Sequence, residues 1–247
     1  MSLNLSLNNH RKADFQIAKE ILKPEIITSS GIKELDDLVG GFKSGEITYI
    51  DGDSNIISKI ASQICVNSYK SFKSDIIYLD AGVCADPYII SFYAKKMEVD
   101  SQDLLKHIHI SRAFTVHQLT TLLQNTIEPI IIRYKPQTLI IDKFPVLYLD
   151  SDVDSKESQA LLRSNIHKIK ELTIKYNLIT IFTNLDRKMI SNNRNVRKIL
   201  YENVDEIVLM KKKELATDVR LLKKDKRTMI LHLQKGQKRL QNFGMVM

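Results

Sequence analysis

Four short segments decide most of what this chain can fold into: EITYID at 46–51, SDIIYLD at 74–80, QTLIID at 137–142 and LITIFTN at 178–184. Each is a compact, largely apolar run, the mark of a strand buried on both faces. Between and beside them lie stretches with a helical period, at 56–72, 87–97, 115–134 and 156–176, the last with a strong 3.6-residue repeat. HIHI at 107–110 adds a short strand. Doubly buried strands alternating with helices predict a mainly parallel central sheet with helices on both faces. After residue 205 the pattern changes. DEIVLMK, DVRLLK and TMILHLQ follow with short polar connectors and predict antiparallel C-terminal strands finishing one edge of the sheet. Residues 11–23, RKADFQIAKEILK, read as an amphipathic helix stopped by Pro24. The expected organisation is an N-terminal segment over 1–24 and one α/β core over 25–247.

No stretch approaches the roughly 18 apolar residues of a membrane span, and the N-terminus has no signal-peptide run. A cytoplasmic protein is expected, with Cys65 and Cys84 as reduced core thiols. The formal charge is +8, and its placement is uneven. From Lys211 to Met247 there are eleven Lys and Arg against three Asp and Glu, so the first 210 residues balance to zero. A one-sided basic surface suits a polyanion such as nucleic acid; a solvated strand face explains the charge equally well.

The order of segments resembles the ATPase core of the archaeal RadA recombinases, within the wider RecA and KaiC-like group. ITSSGIKELDDLVGGFKSGEIT at 27–48 is similar to that family's ISTGSKSLDELLGGGIETGAIT. IYLDAG is similar to IYIDTEG, and ISRAFTVHQL to VARAYNTDHQM. QTLIID resembles the Walker B strand, and ITIFTN the later strand that ends in TNQ. All occur in family order across about residues 13–240. The helix-hairpin-helix domain of full RadA proteins is not present in this sequence, so the chain resembles a short paralogue. The resemblance implies a RecA-like, P-loop-type core and a place in homologous recombination and DNA repair.

The residues that handle ATP in that family are altered. A P-loop needs G-x-x-x-x-G-K-[ST]: glycines let backbone N–H groups converge on phosphate, the Lys meets the β- and γ-phosphates, and the hydroxyl holds Mg²⁺. Extending without a gap from EITYID, only Gly52 matches. Ile57 stands at the second glycine, Ser58 at the lysine and Lys59 at the hydroxyl position. A β-branched side chain resists positive φ and blocks phosphate approach. Gly82 stands where the family's water-orienting Glu would be, and Leu185 where its phosphate-sensing Gln would be. Asp142 keeps the Walker B carboxylate. The expectation is a degenerate ATPase with no hydrolysis, no catalytic residue and no cofactor.

The resemblance also points to interaction surfaces. Phe15-Gln16-Ile17-Ala18 lies sixteen residues before Gly31, near the place of the F-x-x-A motif whose Phe and Ala insert into a neighbouring recombinase subunit. Packing of the same helix on its own core is the alternative. Two DNA-facing loops are implied. The first corresponds to 145–158, where Asp150, Asp152 and Asp154 would repel phosphate. The second corresponds to 185–203, where Arg187, Lys188, Arg194, Arg197 and Lys198 suit sequence-independent phosphate contacts. The second loop lacks interleaved aromatics for base stacking. His107 and His109 alternate along one predicted strand without a third ligand, so no metal site is expected. The function expected is an ATP-independent DNA-binding accessory protein, partnered by DNA and by a RadA-type recombinase, another paralogue or its own copies. A KaiC-like protein scaffold without DNA binding and a weak ATP-binding switch using Lys59 and Asp142 are the alternatives.

Overall fold

The computed structural model describes residues 24–52, 54–83, 85–184, 190, 192–213, 216–224 and 226–231. Phe15, Ala18, Cys84, Arg187 and Lys188 lie outside the described residues.

The four apolar runs become adjacent strands of one eight-stranded sheet. They are β3 (Glu46–Asp51), β4 (Ile76–Asp80), β6 (Thr138–Asp142) and β7 (Ile179–Thr183), joined by β5 (Ile108–Arg112) and by β8 (Glu206–Lys212), β9 (Thr217–Leu221) and β10 (Thr228–Leu231). The order across the sheet is β10-β9-β8-β3-β7-β6-β4-β5. β8 is parallel to β3, and only β9 and β10 run antiparallel. The expected mainly parallel sheet with antiparallel C-terminal strands is thus observed, with DEIVLMK as its last parallel member.

Side chains alternate across each strand and divide the core in two. Ile50, Ile76, Tyr78, Ile140 and Ile181 face one layer. Ile47, Tyr49, Ile77, Leu79, Leu139, Ile141 and Phe182 face the other. The first layer is covered by α2 (Ser54–Phe72), α3 (Pro87–Lys96) and α4 (Ser101–Lys106), preceded in the chain by α1 (Lys33–Val39). The second is covered by α5 (Val116–Thr121), α6 (Ile127–Tyr134), α7 (Ser155–Tyr176) and α8 (Arg194–Asn203).

A small two-stranded ribbon, β1 (Ile27–Thr28) with β2 (Phe42–Lys43), closes over α1. Gly40 caps α1 at φ 76°, and Gly41 follows at φ 80°. A Cβ on Gly41 would lie 2.3 Å from Cγ2 of Ile27, so both geometry and space require glycine there.

The helix expected over 115–134 is interrupted. A π-helical turn at Leu122–Thr126 separates α5 from α6. Pro129 lies three residues into α6, without an N–H for the preceding turn and with a ring that crowds it; a widened turn relieves that clash. The segment 145–158 is not one loop. Phe144–Leu149 is a 3₁₀ helix, and α7 starts at Ser155.

Candidate functional site

The parallel strands end together at one rim, and there the sheet presents Asp51, Asp80, Asp142 and Asn184. Open α/β sheets bind ligands outside these carboxyl ends. Two linked polar networks occupy the rim.

The first joins β3 to β7 and α8. Gly52 N–H donates to Asn184 Oδ1 at 3.2 Å, and Asn184 Nδ2 donates to Asp51 Oδ1 at 2.6 Å. The Tyr201 hydroxyl donates to Asp51 Oδ2 at 2.6 Å. Only Gly52 and Asp53 separate the end of β3 from the start of α2. A Cβ on Gly52 would lie 2.8 Å from Met210 Cβ and 3.0 Å from the Met210 carbonyl on β8. Ile57 is fully buried in the core layer under α2.

The second network contains a lysine absent from the expectations above. Lys143, directly after β6, is completely buried. Its Nζ donates to Ser58 Oγ at 3.0 Å and lies 3.7 Å from Asp142 Oδ1. Its backbone N–H donates to Thr183 Oγ1 at 2.8 Å, and the Thr183 hydroxyl donates to Asp142 Oδ1. Lys143 takes the left-handed conformation at φ 59°, uncommon for a side chain of this size, and the turn aims the ammonium back beneath α2. Burial, then the Asp142 charge, pushes the Tyr78 phenol well above its usual range, and the same two causes in the same order raise the Cys65 thiol. Both therefore stay neutral around the Lys143–Asp142 pair.

Asp80 caps the turn after β4. It accepts from Gly82 N–H at 3.2 Å, Ala85 N–H at 2.9 Å and Arg112 Nε at 3.2 Å. The structural role anticipated for this carboxylate is what the geometry provides.

The expected nucleotide residues do not converge as their order suggested. Ser58, placed at the lysine position, is the hydroxyl that faces Asp142 and Lys143. Lys59 instead lines an apolar groove of about 340 Å³ with Tyr88, Ile89, Phe92 and Tyr93. Consecutive helical residues point about 100° apart, so the two side chains of α2 serve different surfaces. The groove also carries exposed aromatics, with Tyr88 at 88% exposure, that the basic segment lacks.

The basic segment is a helix from Arg194 onward, not a loop through 203. The Asn193 side chain caps it, accepting from Val196 N–H at 3.1 Å. Val196, Ile199 and Leu200 bury one face and leave Arg194 and Lys198 exposed and Arg197 half-buried. The apolar spacing at 196, 199 and 200 was the overlooked helical signal. Tyr201 touches Asp51 at the sheet rim, and Arg194 lies about 10 Å further along the helix. The cations of α8 therefore project past the carboxyl ends of the strands. Lys211 and Lys212, at the end of β8, are exposed at that same end of the sheet.

The carboxylates of 150–154 have local duties: Asp150 accepts from Asp152 N–H at 3.0 Å, and Asp154 caps α7 through Lys156 and Glu157 N–H. His107 and His109 do not form a pair. His107 caps α4, with Nδ1 2.9 Å from the Asp103 carbonyl, while His109 on β5 meets Asp75 at 2.9 Å and stacks on Tyr134. No metal-ligating cluster occurs among the described residues.

Comparison with protein families gives one match, to the Rad51 model over residues 22–207. The chain belongs to the Rad51 family. This places it in the RecA/RadA recombinase superfamily and accounts for the sheet order and for the rim as the place where function resides. No described helix is long and apolar enough to cross a membrane.

Proposed function

We propose that this Rad51-family chain is a non-catalytic recombinase paralogue that binds DNA without ATP and assists recombination and repair. The observation that carries the proposal is how the β3–α2 connection uses its groups. A phosphate cradle needs a glycine-rich turn with converging free N–H groups. Here two residues make the connection, the Gly52 N–H is spent on Asn184, and Ile57 points into the core. Mg²⁺ fits no better. A cation between Ser58 and Asp142 would meet the Lys143 ammonium already lying 3.0 and 3.7 Å from those partners. Lys59 and Asp142 face different surfaces, which weighs against an ATP switch built on that pair.

The DNA surface is the exposed side of α8, with Arg194, Arg197 and Lys198, extended by Arg187 and Lys188 in the preceding segment. Lys198 has Glu202 at 3.8 Å, a contact too exposed to hold it from phosphate. The acidic segment that favours a protein-only scaffold spends Asp150 and Asp154 on turn and helix caps, which weakens that alternative.

Anisotropy of labelled single-stranded DNA at two salt concentrations, with and without Mg-ATP, tests the proposal. Binding that falls steeply with salt and ignores nucleotide is expected. Replacing Arg194, Arg197 and Lys198 together by Ala should lower the magnitude of the salt slope by about 3, roughly one per lost phosphate contact. No binding at low salt overturns the DNA function and leaves the scaffold.

Association with recombinase subunits is the second part of the proposal. An apolar recess of about 160 Å³ opens between β4, β5 and α6, lined by Ile77, Leu79, Ile110, Leu122, Ile127 and Ile130. It suits an aromatic anchor such as Phe15 of a second copy or of a related recombinase.

A further inference from the structure

In P-loop proteins a divalent cation is held between a hydroxyl at the start of the helix after the loop and a carboxylate at the end of a neighbouring strand. This chain keeps both partners, as Ser58 on α2 and Asp142 at the end of β6, and places a lysine ammonium with them. We infer that Lys143 is an internal cation standing in for the metal. The molecule thereby carries, in covalent form, the positive charge that the site otherwise takes from solution.

Three observations converge. The side chain is completely buried, and a buried ammonium is tolerated only where it is paired and hydrogen-bonded. Its described polar neighbours are the pair a metal would use, Ser58 Oγ at 3.0 Å and Asp142 Oδ1 at 3.7 Å. The backbone accepts a left-handed residue at φ 59° to direct it there, with the amide held by Thr183.

The consequence concerns regulation. Thr183 ends β7, and the next residue, Asn184, ties Gly52 and Asp51 together, while Asp51 holds Tyr201 of α8. A charge fixed at Lys143 keeps this chain of bonds assembled without a ligand that arrives and leaves. The rim is thus in one state at all times, where a nucleotide-dependent relative would have two. This inference rests on the proposal that the site takes no nucleotide.

The test is a double-mutant cycle read by thermal unfolding, with Lys143→Met, Asp142→Asn and their combination. Lys143→Met should lower the midpoint clearly in the natural background and leave it nearly unmoved beside Asp142→Asn. Equal losses in both backgrounds mean the side chain only fills space, and overturn the inference. Lys143→Gly, which also suits the left-handed backbone, supplies the second arm. Its midpoint should rise with n-butylammonium and with Mn²⁺, but not with n-butanol, and the unaltered protein should respond to none of them. Rescue by butanol to the same extent overturns the inference, as does rescue by butylammonium without Mn²⁺, which leaves an ion pair but no metal equivalence. A rise in the unaltered protein's midpoint with Mg-ATP would instead defeat the ATP-independent function itself.

Discussion

Single residues here have roles that their sequence neighbours conceal. Gly52 matches the first glycine of a phosphate loop, yet its tight contacts are with Met210 on β8. Gly52→Ala would force a Cβ against a backbone carbonyl, and overpacking of this kind costs about 1–3 kcal/mol. Urea unfolding should show a lower midpoint, with DNA affinity of the folded protein unchanged; a loss of affinity at full folding would assign the glycine to ligand contact. Glu128 offers a pH handle. Lys175, then Lys168 and Tyr176, hold its carboxyl down at about 2, against 4.5 for an ordinary glutamate. Because the folded value is the lower one, the stabilisation is complete above about 4.5 and fades as pH falls toward 2. The stability gap between the unaltered protein and Glu128→Gln should therefore close on acidification through that window. A gap independent of pH would show that the residue acts through packing.

Elements divide into those the sequence displays and those it hides, and the dividing line is burial pattern. β3, β4, β6 and β7 were legible because each is buried on both faces, so nearly every residue is apolar. α7 was legible because its long helix keeps one periodic face. α8 was not, because its ten residues carry four Arg, Lys or Glu side chains and three Asn or Tyr around a stripe of Val196, Ile199 and Leu200. Lys143 was not legible because charge ordinarily signals exposure, and its burial depends on Ser58, 85 positions away in sequence. The same element makes a prediction. Asn193 caps α8 where Arg194 and Arg197 begin. Asn193→Ala should cost about 0.5–2 kcal/mol in stability. It should also weaken DNA binding without altering the salt slope, since no cation is removed. An unchanged affinity, with the expected stability loss, would place the DNA contacts outside the first turn of α8.

At the scale of the whole molecule, the sheet has two open edges, β5 at one and β10 at the other. The apolar recess lies at the β5 edge, and the Phe15–Ala18 segment belongs to the part of the chain before residue 24. Motif and recess are different surfaces, so their union is head-to-tail and extends into a ring or a filament instead of stopping at a symmetric dimer. Sedimentation velocity over a range of concentrations should show growing assemblies for the unaltered protein, and monomers for both Phe15→Ala and Ile130→Glu. Mixing the two variants is the decisive arm. Phe15→Ala retains a recess and Ile130→Glu retains a Phe, so the mixture has one working joint and should stop at a heterodimer. A mixture that stays monomeric, or variants that assemble as well as the unaltered chain, would return the Phe15 helix to a place on its own core.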